Sequence, residues 1–293
     1  MIEFKTIRDG FMIMMKFGVR HAFNRYKDLM MVKEEDKRKT RLYNKLKPQG
    51  IIIKNIGGSQ MQLDMNDYGI HRDLFLDGIR EPSATEHLIK ILDKNDIVLE
   101  IGANIGYYVL LESRLCKKVY AVEPILKNIN NLKTNIGLNQ RQNVEVFQMA
   151  MSDSKGKKAM YISSRSNLHS FRTINNPIKK IFIDVDTVDN FLKNKESPTF
   201  VRMDVEGYEL NVLNGMMKTL KKIDRMFIEV HADIMKLEET QKFISILRDE
   251  RFRPELIIKY DKPGLSRILP NDYINKVYVG DKGVYEIFFK KYL

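Results

Sequence analysis

Val98-Leu99-Glu100-Ile101-Gly102-Ala103-Asn104-Ile105-Gly106 is the stretch on which the fold turns. It reads as a short apolar strand over 97–101, a glycine turn, and a helix over 106–115. Two glycines after a strand permit a tight turn and close approach of backbone to a ligand. The spacing is G-x-x-x-G, not the G-x-G-x-x-G of a dinucleotide-binding turn. A pyrophosphate needs a row of free amides and the helix dipole. The acidic Glu100 ahead of the first glycine suits a cationic ligand instead.

Downstream, strands and helices alternate. Strands are predicted at 118–122, 144–148, 200–203, 226–230, 255–260 and 284–289, with helices at 126–136, 208–220 and 234–248. This alternation predicts an α/β fold, a seven-stranded mostly parallel sheet with helices on both faces. Such sheets bind ligands at the carboxyl ends of their strands. Glu123 ends the second strand, where a carboxylate can accept both hydroxyls of an adenosine ribose. After the third strand, Ser152 or Asp153 is placed to reach an adenine amino group and Met151 to stack on the ring. An Asx-capped turn accounts for the same residues.

Upstream, 51–65 alternates apolar and polar residues around Gly57-Gly58 and predicts a β-hairpin. Ser83 and Glu86 have the spacing of a capping box opening a helix over 83–93. In 1–50, Phe4, Ile7, Phe11, Met14 and Met15 recur at helical spacing. Arg8, Lys16, Arg20, Arg25 and Lys27 surround that stripe, Gly18 weakens the helix, and the charged run 33–41 reads as a helix end or linker. The expected organisation is a basic amphipathic helical extension (1–50), a small hairpin lead-in (51–80) and the main domain (81–293). The arm suits packing on its own domain, a membrane surface or a second copy.

The 293-residue chain carries a formal charge of +12, with 43% hydrophobic and 30% charged residues, an ordinary globular composition. Residues 1–50 hold 13 Lys plus Arg against 6 Asp plus Glu, and so +7 of that charge. The single cysteine, Cys116, excludes an internal disulfide and reads as a small buried hydrophobe. No apolar stretch is long enough to span a bilayer, and no secretory cleavage site follows the early apolar run. A cytoplasmic location, with peripheral membrane contact through the arm, is the expectation.

The run Glu100–Tyr108, the pair Glu123-Pro124, Ala150-Met151-Ser152-Asp153, Asp186-Thr187-Val188-Asp189, Asp204-Val205-Glu206-Gly207-Tyr208-Glu209 and Ile228-Glu229-Val230-His231 together resemble the FkbM family of methyltransferases. The resemblance covers roughly residues 60–260. It departs from the family at Glu100, where Asp is usual, and at Arg202, where Lys is usual. It implies a class I (Rossmann-like) methyltransferase fold, S-adenosylmethionine as donor, and a hydroxyl acceptor on a glycan, glycolipid or secondary metabolite. The cofactor set it implies is Glu100, Gly102, Ala103, Asn104, Gly106, Tyr107, Glu123, Pro124, Met151, Ser152 and Asp153.

On the acceptor side, Asp204, Glu206, Glu229 and His231 converge at the ends of two neighbouring strands. Methyl transfer to a hydroxyl requires removal of a proton. His231 is the preferred base, because imidazole titrates nearest neutrality, and Asp204 is the second choice. Glu206 and Glu229 are expected to orient sugar hydroxyls, and Glu209 to form a salt bridge on its helix. These donors also suit Mg²⁺, but the family resemblance requires no metal and none is assigned. His169 and Ser170, in an insertion over 156–197, are placed to face the acceptor, and Asp189 to cap a helix.

Rival readings are weaker. A base amino-methyltransferase shows Asn/Asp-Pro-Pro-aromatic where Asp204-Val205-Glu206-Gly207 stands. Pyrimidine carbon methylation needs a cysteine, and Cys116 lies in the wrong helix. An acidic acceptor edge repels phosphate, so nucleic acid is disfavoured. A dehydrogenase conflicts with the glycine spacing. A non-catalytic cofactor-fold module would differ by showing no turnover.

Overall fold

The computed structural model describes residues 15, 19–46, 49–67, 69–163, 169–172, 177–262 and 265–292. Phe4, Ile7, Phe11 and Met14 of the amphipathic stripe lie outside these residues. Met15 is helical and 74% exposed. Helix α1 (Val19–Leu46) runs straight through the charged stretch 33–41, which is therefore helix interior rather than a linker. Pairs at i,i+3, Glu34–Lys37 and Glu35–Arg38, support it locally. Docking comes from Tyr43, buried with its hydroxyl donating to the Met65 carbonyl at 2.5 Å, and from Arg72, which reaches Asp36 at 2.8 Å.

The hairpin forms as β1 (Ile51–Ile56) and β2 (Ser59–Asp64). Gly57 and Gly58 both take positive φ (57° and 81°), as a two-residue turn matched to strand twist requires. Helix α2 (Ile70–Asp77) follows, unanticipated. Helix α3 (Pro82–Ile91) starts on Pro82 after a left-handed Glu81, so Ser83 lies inside the helix and the capping box is not made. Proline suits a first helical position because its missing N–H would be unpaired there anyway.

Next come β3 (Ile97–Ile101), α4 (Tyr107–Leu115), β4 (Lys118–Val122), α5 (Leu126–Leu138) and β5 (Val144–Phe147). A small sheet of β6 (Ala150–Met151), β7 (Gly156–Ile162) and β8 (Lys179–Asp186) is built from the insertion. Then follow α6 (Val188–Phe191), β9 (Phe200–Met203), α7 (Glu209–Asn214), α8 (Met217–Leu220), β10 (Arg225–His231) and α9 (Leu237–Asp249). The chain closes with β11 (Phe252–Lys262), β12 (Leu265–Leu269), α10 (Ile274–Tyr278) and β13 (Val284–Lys291). Thr187, not Asp189, caps α6, its side chain accepting from Asn190 N. The Asp189 carboxylate instead accepts from the Lys218 and Thr219 amides at the start of α8.

The main sheet runs β12-β11-β13-β10-β9-β3-β4-β5. Within it β10, β9, β3, β4 and β5 are mutually parallel, and β13 enters antiparallel between β10 and β11. The seven expected strands are joined by an eighth, β12, folded back on the β11 edge. Both faces are covered. Leu99, Ile101, Val201 and Met203 pack under α7 and α9, while Val98, Val119, Phe200 and Phe227 pack with α4 and the hairpin. Strand order reverses between β3 and β9, which makes the carboxyl ends of these two strands the switch point at which such sheets bind ligands.

Candidate active site

A cleft opens at this switch point. Gly102 and Asn104 after β3, Glu123, Pro124, Ile125 and Asn128 after β4, and Met149 to Met151 after β5 line one part. Asp204, Val205, Glu206 and Tyr208 after β9, with His169 and Phe171 from the insertion, line the other. Gly102 has φ of 92°, and a Cβ there would stand 1.9 Å from the Asp204 carbonyl oxygen. Only glycine lets the β3 and β9 ends approach this closely. The Asn104 amide donates to Glu123 Oε2 at 3.0 Å, while its own Oδ1 is buried with no hydrogen-bond partner among the described residues. Glu123 Oε1 accepts from the Ile125 amide and from Asn128. Burial outweighs these donors and pushes the Glu123 carboxyl up to about 7.

At the other end, the fully buried Glu209 takes His231 Nδ1–H at 2.7 Å, and so aims Nε2 at Glu206 (3.4 Å) and Glu229 (3.8 Å). Burial alone would push the imidazole down, but Glu209, then Glu206 and Glu229, hold it well above its ordinary value. Burial pushes Glu206 up to about 8 and raises Glu229 well above the carboxylate range. Burial would raise Asp204 too, but Arg202 and Arg80 hold it low and keep it anionic. Arg80 stands 3.7 Å from Asp204 and 3.8 Å from Glu229, and pairs with Glu81 at 2.6 Å.

The Methyltransferase FkbM domain profile matches residues 100–254. The chain belongs to the FkbM methyltransferase family. S-adenosylmethionine is accordingly its methyl donor. This FkbM chain is 26% identical over 189 residues to the hexuronic acid methyltransferase AglP of Haloferax volcanii, covering 59% of this chain and 77% of that one. A solved Methyltransferase FkbM from Methylobacillus flagellatus KT is similar at 18% identity and TM-score 0.42, over 67% of this chain but only 43% of the other. M. jannaschii TYW2 in complex with AdoMet is similar at 17% identity and TM-score 0.42, over 84% and 88% of the two chains.

The cleft of this FkbM methyltransferase fits a cationic nucleoside. The Gly102 cradle, the orphaned Asn104 Oδ1, the Glu123 carboxylate and the Met149–Met151 wall lie on one side, with anionic Asp204 beside Gly102. The structure brings Gly102, Asn104, Glu123, Pro124, Met151, Asp204 and Glu206 to the cleft lining. Other expected residues lie elsewhere. Glu100 shares the sheet face of Val98, so it points at α4 and bonds Arg202 at 2.6 Å rather than reaching a ligand. Gly106 is a packing glycine, where a Cβ would meet Leu132 Cδ1 at 2.5 Å. The Ala103 amide bonds Val122 O, and Tyr107 lies under the hairpin with its hydroxyl near Thr85 and Arg80 O. Ser152 is fully buried against Asp153 and Tyr208. Asp153 is already engaged by Lys158 and Asn211, which pull it down despite partial burial.

His231 differs from the neutral imidazole expected of a base, because three carboxyls surround it and keep its proton on. It stands behind Glu206 rather than in the lining. Ser170 is not free to meet an acceptor, since its hydroxyl donates to Glu206 O at 2.9 Å. Asp204, Glu206 and His231 place donor atoms within 4.8 Å of one another, a set suited to a divalent cation. Arg80 already supplies positive charge beside Asp204. Arg80 and Asn128 were missed because neither sits in a motif. Arg80 precedes α3 in an aperiodic stretch, and its one signal is the Arg80-Glu81-Pro82 charge pair before a helix. Glu209 was expected to pair on its helix surface; it pairs inward.

Proposed function

We propose that this methyltransferase acts on a hydroxyl of a sugar, in a glycan, glycolipid or glycosylated metabolite, with Glu206 removing the proton. The observation that carries this is the acceptor end itself, where Asp204, Glu206 and Glu229 gather around the Glu209–His231 pair. Carboxyls of this kind bind neutral polyhydroxyl groups well. The hexuronic acid named for the Haloferax relative offers both hydroxyls and a carboxylate, and this lining favours the hydroxyls.

Bound S-adenosylmethionine supplies a methyl group on a sulfonium that is already a good leaving group. Gly102 and Asn104 would give the cofactor its backbone approach, Glu123 the ribose contact, Met151 an apolar wall and Asp204 the counter-charge expected of Glu100. Glu206, on the acceptor side of the lining, accepts the acceptor proton. Behind it, His231 steadies the Glu206 carboxylate, Glu209 fixes the ring, and Glu229 completes the shell. Residues 1–50 are read as a basic arm beside the 81–293 transferase unit, with 51–80 as the lead-in. Among the described residues no helix is long and apolar enough to cross a membrane.

The test is transfer of labelled methyl from S-adenosylmethionine to a panel of methyl hexosides and hexuronosides, with the product mapped by NMR. An O-methyl ether is expected. Label found only as a carboxyl ester, or only on RNA, would overturn the reading.

A further inference from the structure

The turn that carries Glu206 is backbone-strained and held from outside. Glu206 takes φ of 51°, uncommon for a residue with a side chain, and Gly207 takes 90°. Left-handed backbone at a non-glycine residue is unfavourable and persists only where neighbours enforce it. Both carbonyls of this turn are bonded. Ser170 Oγ donates to Glu206 O at 2.9 Å, and Arg172 Nε donates to Gly207 O at 2.5 Å. From the inner side, Gly207 N donates to Glu209 Oε1 at 3.0 Å, the same oxygen that holds His231.

Arg172 is itself fixed. Its amide bonds Ser170 Oγ, and its Nη2 reaches Glu239 Oε2 at 2.9 Å, in the first turn of α9. Ser170 exchanges backbone bonds with Tyr161 of β7, and the Phe171 ring packs on Tyr208 at 4.8 Å. A Cβ on Gly207 would meet Ile234 Cγ2 at 2.6 Å and Arg172 Nε at 3.2 Å, so the turn is closed from both sides.

We propose that Arg172, with Ser170, is a positioning residue for Glu206: the insertion holds the Glu206–Gly207 turn in its left-handed form and so sets the distance from the Glu206 carboxylate to His231. This rests on Glu206 being the acceptor-facing group. Neither side chain touches substrate in this role; each acts through the two carbonyls it bonds. Among the described residues no hydrogen bond links Gly102 or Glu123 to Arg172 or Ser170, so the donor end is expected to survive their loss.

The experiment follows the imidazole of His231 by ¹H–¹³C NMR titration in the full chain, its signal assigned with His231→Asn. Arg172→Ala, Arg172→Lys and Ser170→Ala are compared, and S-adenosylhomocysteine affinity is measured by calorimetry on each. Around His231 stand Glu206, Glu209 and Glu229, with Asp204 and Arg80 beyond; these changes release the turn that carries Glu206 and reach Glu209 only through the Gly207 amide. The expected result is a threefold or greater loss of His231 proton affinity in Arg172→Ala and a smaller loss in Ser170→Ala. Partial return in Arg172→Lys is expected, with S-adenosylhomocysteine affinity within threefold of wild type throughout. An unmoved His231 titration in both alanine variants overturns the proposal. So does a fall in S-adenosylhomocysteine affinity as large as the titration change, which marks general collapse of the cleft. Should Arg172→Ala not fold, Ser170→Ala decides alone. Absence of S-adenosylhomocysteine binding by the wild type would count against the donor site, while the titration still judges the clamp.

Discussion

The carbonyl oxygen of Asp204 stands 1.9 Å from the position a Cβ would occupy on Gly102. Two parallel strand ends therefore touch backbone to backbone at the switch point, and the cleft takes its depth from that contact. Because the obstacle is main chain, it cannot rotate away. Gly102→Ala adds a left-handed penalty to overpacking, together about 2–4 kcal/mol. Thermal unfolding of the variant is expected several degrees lower, with S-adenosylhomocysteine affinity down more than tenfold. An alanine variant with wild-type melting and affinity would show that β3 and β9 are not held together as described.

Glu123 supplies a pH signature for the donor site. Its carboxyl sits at about 7 in the ligand-free protein, raised by burial against the pull of the Ile125 and Asn104 amides. A ribose diol is held by the ionised form, which accepts two hydroxyls. Affinity for S-adenosylhomocysteine should therefore be flat above pH 7 and fall up to about tenfold for each pH unit below it. Glu123→Gln is expected to bind at least tenfold more weakly at pH 8 and to lose this slope. Equal slopes in the two proteins would place the titrating group elsewhere.

Much of this architecture was legible because it repeats a short rule. Apolar runs such as 118–122 and 200–203 have strand length and are bounded by turns, and the structure ends those strands where the pattern does. Gly102 and Glu123 were readable because their roles follow from the chain ends at which they sit. Glu100 was misplaced by a rule of parity. Glu100, one residue short of the strand's end, lies on the α4 face, and only the pairing of β3 with β9 reveals Arg202 opposite it. The proton on His231 was hidden for a related reason, since it depends on Glu209, whose inward direction is set by the sharp Glu206–Gly207 turn. Arg80 enters from the lead-in, a distance in sequence that no local pattern spans.

Glu112 offers a stability test away from the cleft. It is fully buried in α4 beside Glu100, and burial, then the Glu100 charge, raise its carboxyl well above its ordinary 4.5. The folded state thus keeps a proton that the unfolded chain releases above pH 4.5. Stability falls as pH rises from there, by up to about 1.4 kcal/mol per unit. Glu112→Gln keeps the shape and cannot ionise. Its melting temperature should match wild type near pH 4.5 and exceed it increasingly up to pH 8. A constant difference across that range would mean that Glu112 is ionised in the fold.

The acceptor chemistry predicts a rate that climbs with pH. Glu206 must be ionised to take a proton, and burial, opposed by His231, places it at about 8. Turnover at saturating donor should rise about tenfold per pH unit below 8 and level above it. Glu206→Gln removes the proton acceptor while keeping the turn. It is expected to lower kcat by about 10²- to 10⁴-fold with S-adenosylhomocysteine affinity unchanged. Glu209→Gln acts one step back. It withdraws the charge that contributes most to holding His231 protonated, so the imidazole holds its proton less tightly. A neutral His231 stabilises the Glu206 carboxylate less, which moves the rate limb to higher pH rather than abolishing turnover. A limb that stays in place in Glu209→Gln, or a Glu206→Gln enzyme that retains wild-type kcat, would move the base to another residue of the cluster.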